Sequence, residues 1–275
     1  MELLAIGLTN LIVFALGASI GSFLNVVVYR LPAGVSILYP PSRCPHCLRQ
    51  LKRYDNVPIL GWLWLRGRCR YCQSPIAKRY PLVEAVTGGI FLLAFWHFNW
   101  PLPAVGYWAF FSWLLALSLI DLDTMTLPNP LTQSGLLMGL AFQAIWGFAE
   151  SSTLTGAIAP LMTGIIGAVL GVWLLDLISF VGSMALGQTA MGGGDAKLAA
   201  MMGAWLGWQH LLLACFLACA IGALVGGGAI ALGLLNRRQP MPFGPFLALA
   251  AVLVTVWGEA LISGYLQLFF PVSWN

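Results

Sequence analysis

Two groups of residues in this chain have the types and spacing to do chemistry. The first is a set of four cysteines. "CPHC" at 44–47 and "CRYC" at 69–72 form C-x2-C-x21-C-x2-C. Two such hooks, Cys44 with Cys47 and Cys69 with Cys72, supply four thiolates at a spacing suited to tetrahedral Zn²⁺. Four sulfur ligands leave no open position for water, so zinc here is expected to be structural. The second group is carboxylic: Asp121 and Asp123 in "IDLDTMTLPN", and Asp195 in "GGGDAKLAA". Two carboxylates side by side do not both ionise easily, so one keeps a proton while the other stays charged. The charged one can take a proton from water and the neutral one can polarise a peptide carbonyl. That is general acid–base hydrolysis of an amide. Glycine has no Cβ, so Gly192, Gly193 and Gly194 would let another backbone approach Asp195 closely. Lys197 could orient Asp195 or meet acidic lipid. A plain hinge between helices is the bland alternative for this stretch.

These residues must be positioned by membrane helices. Of 275 residues, 60% are hydrophobic and 8% charged, against about 25% charged in a soluble domain. Apolar runs near the roughly 20-residue spanning length occur near 3–28, 82–99, 103–120, 132–149, 156–187, 210–235 and 246–269. A shorter run, 196–208, reads as a short or tilted eighth span, with seven as the alternative count. The expected fold is therefore an all-α polytopic membrane protein of about eight transmembrane helices. The first run lacks a basic leader region and is long, so it reads as a retained helix rather than a cleaved signal.

Charge sets the orientation. Ten of the 13 Lys and Arg residues fall between Arg30 and Arg79, which marks 30–81 as a cytoplasmic loop and puts the N-terminus on the outer side. The same clustering argues against a nucleic-acid partner. Alternating eight spans then places Asp121, Asp195 and the Arg237–Arg238 pair on the cytoplasmic side. The organisation expected is a first helix at 1–29, a small four-cysteine zinc module at 30–81, and a transmembrane bundle at 82–275. A module of this size has little core of its own, so metal would contribute to its folding. Arg43, Arg68 and Arg70 are expected to favour the thiolates, and His46 to be a bystander. Cys215 and Cys219, one turn apart in an apolar run, read as small buried hydrophobes.

Of the remaining acids, Glu2, Asp55 and Glu150 are expected in solvated ends or loops. Asp176 and Glu259 fall inside apolar runs. They support a competing class, an ion-coupled transporter, which would need its acids near the midplane and usually shows repeats. No convincing repeat is evident.

Six segments together resemble the type IV prepilin peptidases: "GSFLNVVVYRLP" (21–32), "PPSRCPHC" (40–47), "DNVPILGWLWLRGRCRYC" (55–72), "PIAKRYPLVE" (75–84), "IDLDTMTLPN" (120–129) and "GGGDAKLAAMMGAWLG" (192–207). The resemblance runs in order over 21–207, and the C-terminal third matches only in hydrophobicity. It implies a GxGD-type aspartic endopeptidase of the bacterial inner membrane, where the outer side holding the N-terminus is the periplasm. Such enzymes cut a short basic leader from a prepilin or pseudopilin at the cytoplasmic face. Many then methylate the new N-terminal amine with S-adenosylmethionine. Carried over, the catalytic pair is Asp121 and Asp195, with Asp123 as the alternative first acid. The cysteine loop marks the bifunctional members, Gly67 matches a position associated with methyl transfer, and Glu84 is a further polar candidate. Asn129 stands where many members carry Asp. A peptidase without methylation is the nearest alternative. Which pilin is cut and the oligomeric state are not legible in the sequence.

Overall fold

A computed structural model describes residues 1–98, 101–187, 191–234, 236 and 241–269. The described chain is helical, with no named strand. In order it forms α1 (Glu2–Arg30), a short 3-10 turn (Arg53–Asn56), α2 (Leu60–Trp64), α3 (Arg79–His97), α4 (Pro101–Thr124), α5 (Asn129–Ser151), α6 (Leu154–Leu186), α7 (Gly193–Ala231) and α8 (Gly244–Phe269). The chain divides into two compact units, Met1–Ala116 and Leu117–Asn275.

In the first unit, α1 packs on α3 through small residues. A Cβ at Gly17 would lie 2.8 Å from the Gly88 Cα, and one at Gly21 would lie 2.8 Å from the Glu84 Cα. Helices in lipid gain little from hydrophobicity against each other, so close backbone approach supplies the contact energy. The Asn25 amide donates to the Tyr80 carbonyl at 3.2 Å. The Trp108 indole N–H of α4 donates to the Phe91 carbonyl at 2.9 Å, with the two rings stacked 5.1 Å apart.

In the second unit, α6 and α7 form the tightest pair. Gly164, Gly167 and Gly171 on α6 face the backbone of Ala204, Gly203 and Ala199 on α7. α7 is broken at Gly207, whose φ of 74° and ψ of 172° no helix contains. Such a break interrupts the hydrogen-bond ladder, and a carbonyl near it needs another donor. Gln143 of α5 supplies one, its side-chain amide donating to the Trp205 carbonyl at 2.8 Å. Trp205 itself is buried, donates to the Gly135 carbonyl at 2.8 Å and stacks on Phe142. A glutamine in an apolar run is thus used to close the break.

Among the described residues, five helices are long and apolar enough to cross a membrane: α1, α4, α6, α7 and α8. Eight spans were expected. The run 196–208 forms the first leg of α7, a helical segment of its own that ends at the Gly207 break and is buried along most of its length. α3 and α5 are helices at the expected places, but they fall outside this set. α3 carries Arg79, Glu84 and His97, and α5 carries Asn129, Gln133, Gln143 and Glu150. Arg237 and Arg238, which the alternation of spans put on the cytoplasmic side, lie outside the described residues. Cys215 is buried as expected, whereas Cys219 is exposed.

Candidate active site and metal centre

The carboxylate site is built where three helix ends meet in the second unit. Asp121 lies one turn before the end of α4. Its own helix stops at Thr124, and Met125 then adopts a left-handed φ of 51°. Asp195 lies in the first turn of α7, three residues after the N-cap Gly192. Its side chain turns back to accept from the Gly192 backbone N–H. This is the back half of a capping box, with Asp in the place usually held by Glu or Gln. Both side chains are buried, Asp121 5% and Asp195 7% exposed. The two carboxyls are close enough for charge on one to act on the other. Asp123, the alternative first acid, is exposed. Residues two apart on a helix point to different sides, and here Asp121 is the one turned inward.

Two contacts lock the α4–α5 turn to the head of α7. A Cβ at Gly194 would sit 3.0 Å from the Leu127 Cβ, so Leu127 packs directly over the glycine. The Lys197 ammonium donates to the Asn129 side-chain oxygen at 2.7 Å. Lys197 therefore ties α7 to α5, a partner the sequence did not suggest. The glycines do not unwind a helix end. Gly192 is an extended N-cap (φ −78°, ψ 143°), Gly193 and Gly194 form the first turn, and a Cβ at Gly193 would meet open space. The third helix end is that of α8. The Gly244 backbone N–H donates to Asp121 Oδ2 at 2.9 Å. Nothing in the sequence linked this residue to Asp121. "GPF" before an apolar run signals only a helix start.

The four cysteines converge in the first unit, with all four Sγ atoms within 4.8 Å of one another. Sγ–Sγ separations are 3.7 Å for Cys44–Cys72 and 4.0 Å for Cys47–Cys69. A tetrahedron with Zn–S of about 2.3 Å has an edge of about 3.8 Å, so the donor set fits zinc. The hooks are two copies of one backbone pattern, 25 residues apart. Cys44 N–H donates to the Arg49 carbonyl at 3.0 Å as Cys69 N–H does to Ser74 at 2.9 Å. Leu48 N–H bonds the Cys44 carbonyl at 2.9 Å as Gln73 N–H bonds Cys69 at 3.0 Å, and Leu48 and Gln73 both have positive φ. A repeat exists here that the differing side chains hid. The Cys47 backbone N–H, opposed by burial and aided by the His46 N–H and the Ser74 hydroxyl, holds the Cys44 thiol down at about 6.

Asp55, expected in solvent, is instead buried. It is 9% exposed, and Arg70 grips it through Nε at 3.0 and 3.1 Å and through Nη2 at 2.5 Å. Arg70 thus serves Asp55, whereas the sequence assigned it to the thiolates. Gly67 turns the chain into the second hook at φ 68°, and a Cβ there would also lie 2.8 Å from the Trp62 ring. Both observations require glycine. Glu84 is buried and accepts from the Ile59 N–H at 2.7 Å. Asp176 and Glu259 are exposed, the latter 3.4 Å from His210. Neither lines an interior path, as a transporter would need.

Residues 15–98 match the profile of the bacterial peptidase A24 N-terminal domain, and residues 108–227 match the Type IV leader peptidase family. A prepilin leader peptidase/N-methyltransferase of Aeromonas hydrophila is 39% identical over 285 residues, covering 94% of each chain. Proteins of the same description from Stutzerimonas stutzeri and Pseudomonas aeruginosa are each 36% identical over 276 residues. They cover 92% of this chain and 92% and 91% of their own. This chain belongs to the type IV leader peptidase family. No solved structure matches it. Membership makes it an enzyme with membrane-spanning helices. The matched profile covers the α4–α5 turn and α7 as far as residue 227, and ends before α8 and Gly244.

Proposed function

We propose that this protein is a bacterial inner-membrane endopeptidase that removes the basic leader of type IV prepilins or pseudopilins and then N-methylates the new N-terminus. The observation that carries the reading is the pair of buried carboxylates, Asp121 and Asp195. They lie 74 positions apart in the chain, and the heads of α7 and α8 hold them within electrostatic reach of each other. One carboxylate, ionised, takes a proton from a water molecule as its oxygen adds to the scissile carbonyl. The other, protonated, donates to that carbonyl oxygen. The proton then passes to the departing nitrogen as the C–N bond breaks, leaving a carboxylate on the leader and an amine on the mature chain. Gly193, open above the first turn of α7, leaves room for an extended substrate backbone. Gly192, Gly194, Lys197 and Asn129 support Asp195 by fixing the start of α7.

The module at 30–81 binds one structural zinc through Cys44, Cys47, Cys69 and Cys72. We link it to methyl transfer, with S-adenosylmethionine supplying an electrophilic methyl group. A cavity of about 370 Å³ in this unit, lined by Ser22, Arg30, Ser42 and Asn56 among others, falls within the size range of small-ligand sites. Arg30 offers a guanidinium for a donor's carboxylate. Gly67 and Glu84 act on this activity through the fold of the module. Positive charge in 30–81 supports a cytoplasmic placement of the module. Purified protein given a prepilin and the methyl donor should release the leader and add one methyl to the mature N-terminus, read by mass spectrometry. Leader release without methylation would leave a peptidase alone, and an intact prepilin would refute the reading.

A further inference from the structure

We propose that Gly244 is a positioning residue for the carboxylate pair: its backbone N–H, at the head of α8, fixes the orientation of Asp121. This rests on the reading of Asp121 as a reacting group. Three observations lead to it. The N–H bonds Asp121 Oδ2 at 2.9 Å across 123 positions of sequence. A Cβ at residue 244 would lie 2.8 Å from that same oxygen and 3.2 Å from Cγ. Gly244 also has no left-handed φ, so its backbone would accept alanine. The side chain is therefore excluded by the carboxylate and not by the turn. The first amide of a helix has no partner within its own helix, and an anionic acceptor there is favoured by the helix dipole. The bond thus satisfies an orphan donor while holding one rotamer of an acid that must act on water. Asp195 is held in the matching way by the Gly192 N–H at the head of α7. Each acid takes its orientation from the backbone of a helix start, and α8 is part of the site although its sequence carries no motif.

The test is Gly244→Ala, with Gly264→Ala on the same helix as control, since a Cβ there meets nothing within 4 Å. Full-length enzyme in detergent is assayed for cleavage of a prepilin and, separately, for methylation of a pre-cleaved pilin. Displacing the carboxylate by about 1 Å should lower kcat for cleavage by roughly 10²-fold. KM and methylation should be unchanged, and Gly264→Ala should behave as the parent. A thermal melt provides a second readout. Gly244→Ala should lower the midpoint in the parent but not in an Asp121→Ala background, where the obstructing oxygen is gone. If Gly244→Ala accumulates only together with Asp121→Ala, the contact is equally supported. Normal cleavage by Gly244→Ala, or an equal loss of stability in both backgrounds, would overturn the assignment. If Asp121→Asn still cleaves, it is the reading of the catalytic pair that fails instead.

Discussion

The α6–α7 contact offers a perturbation whose size can be worked from the structure. A Cβ at Gly203 would lie 2.2 Å from the Gly167 carbonyl oxygen, 2.3 Å from its carbon and 2.7 Å from the Ala168 nitrogen. All three are backbone atoms, so no side-chain rotation can make room. Ordinary contact begins at 3.4 Å, so Gly203→Ala must push the helices apart by roughly 1 Å at this point. Overpacking of this kind costs about 1–3 kcal/mol. Asp195 lies eight residues earlier on the same leg of α7, about 12 Å along the axis at 1.5 Å per residue. A rigid leg carries the displacement to the carboxylate, and a misplacement near 1 Å costs on the order of 10²-fold in rate. Gly203→Ala should therefore lower both the thermal midpoint in detergent and kcat for leader removal. Gly227→Ala on the second leg, with no atom within 4 Å of its Cβ, should change neither. An unaltered midpoint and rate for Gly203→Ala would refute the close packing of α6 on α7 and its role in placing Asp195.

Other outcomes follow from the module. Cys69→Ser removes one of four ligands from a site whose binding energy is about 10–16 kcal/mol in comparable peptides. Zinc measured by elemental analysis after chelator challenge should fall below one equivalent, while the parent retains it. Retention should also weaken with acid, since protons compete with zinc for the four thiolates. Gly67→Ala meets both a left-handed φ and the Trp62 ring. It should depress methylation of a pre-cleaved pilin and spare cleavage of the prepilin.

The sequence reached furthest where chemistry fixes spacing. Four cysteines in two hooks announced their own convergence, because that spacing suits four thiolates around one tetrahedral ion. The choice between Asp121 and Asp123 needed the helix face, which only packing decides. Asp55 was misjudged because burial of a charge depends on its partner, and Arg70 arrives from 15 residues away. The run 196–208 is a helical leg of its own, as its apolarity suggested, but hydropathy measures apolarity and not whether a segment faces lipid or other helices. That leg of α7 is apolar because it is packed against α5 and α6. Gly244 was invisible because its contribution is a backbone N–H, which every residue but proline carries. What singles it out is a missing Cβ opposite a carboxylate 123 positions away.

The most direct test of the carboxylate pair is a double-mutant cycle of cleavage rates with Asp121→Asn, Asp195→Asn and the double variant, with methylation of a pre-cleaved pilin confirming that each is folded. Two acids acting as one unit should each cost nearly all of the rate alone, and the second substitution should add little to the first. Additive losses, or substantial cleavage by either single variant, would contradict a shared role for Asp121 and Asp195.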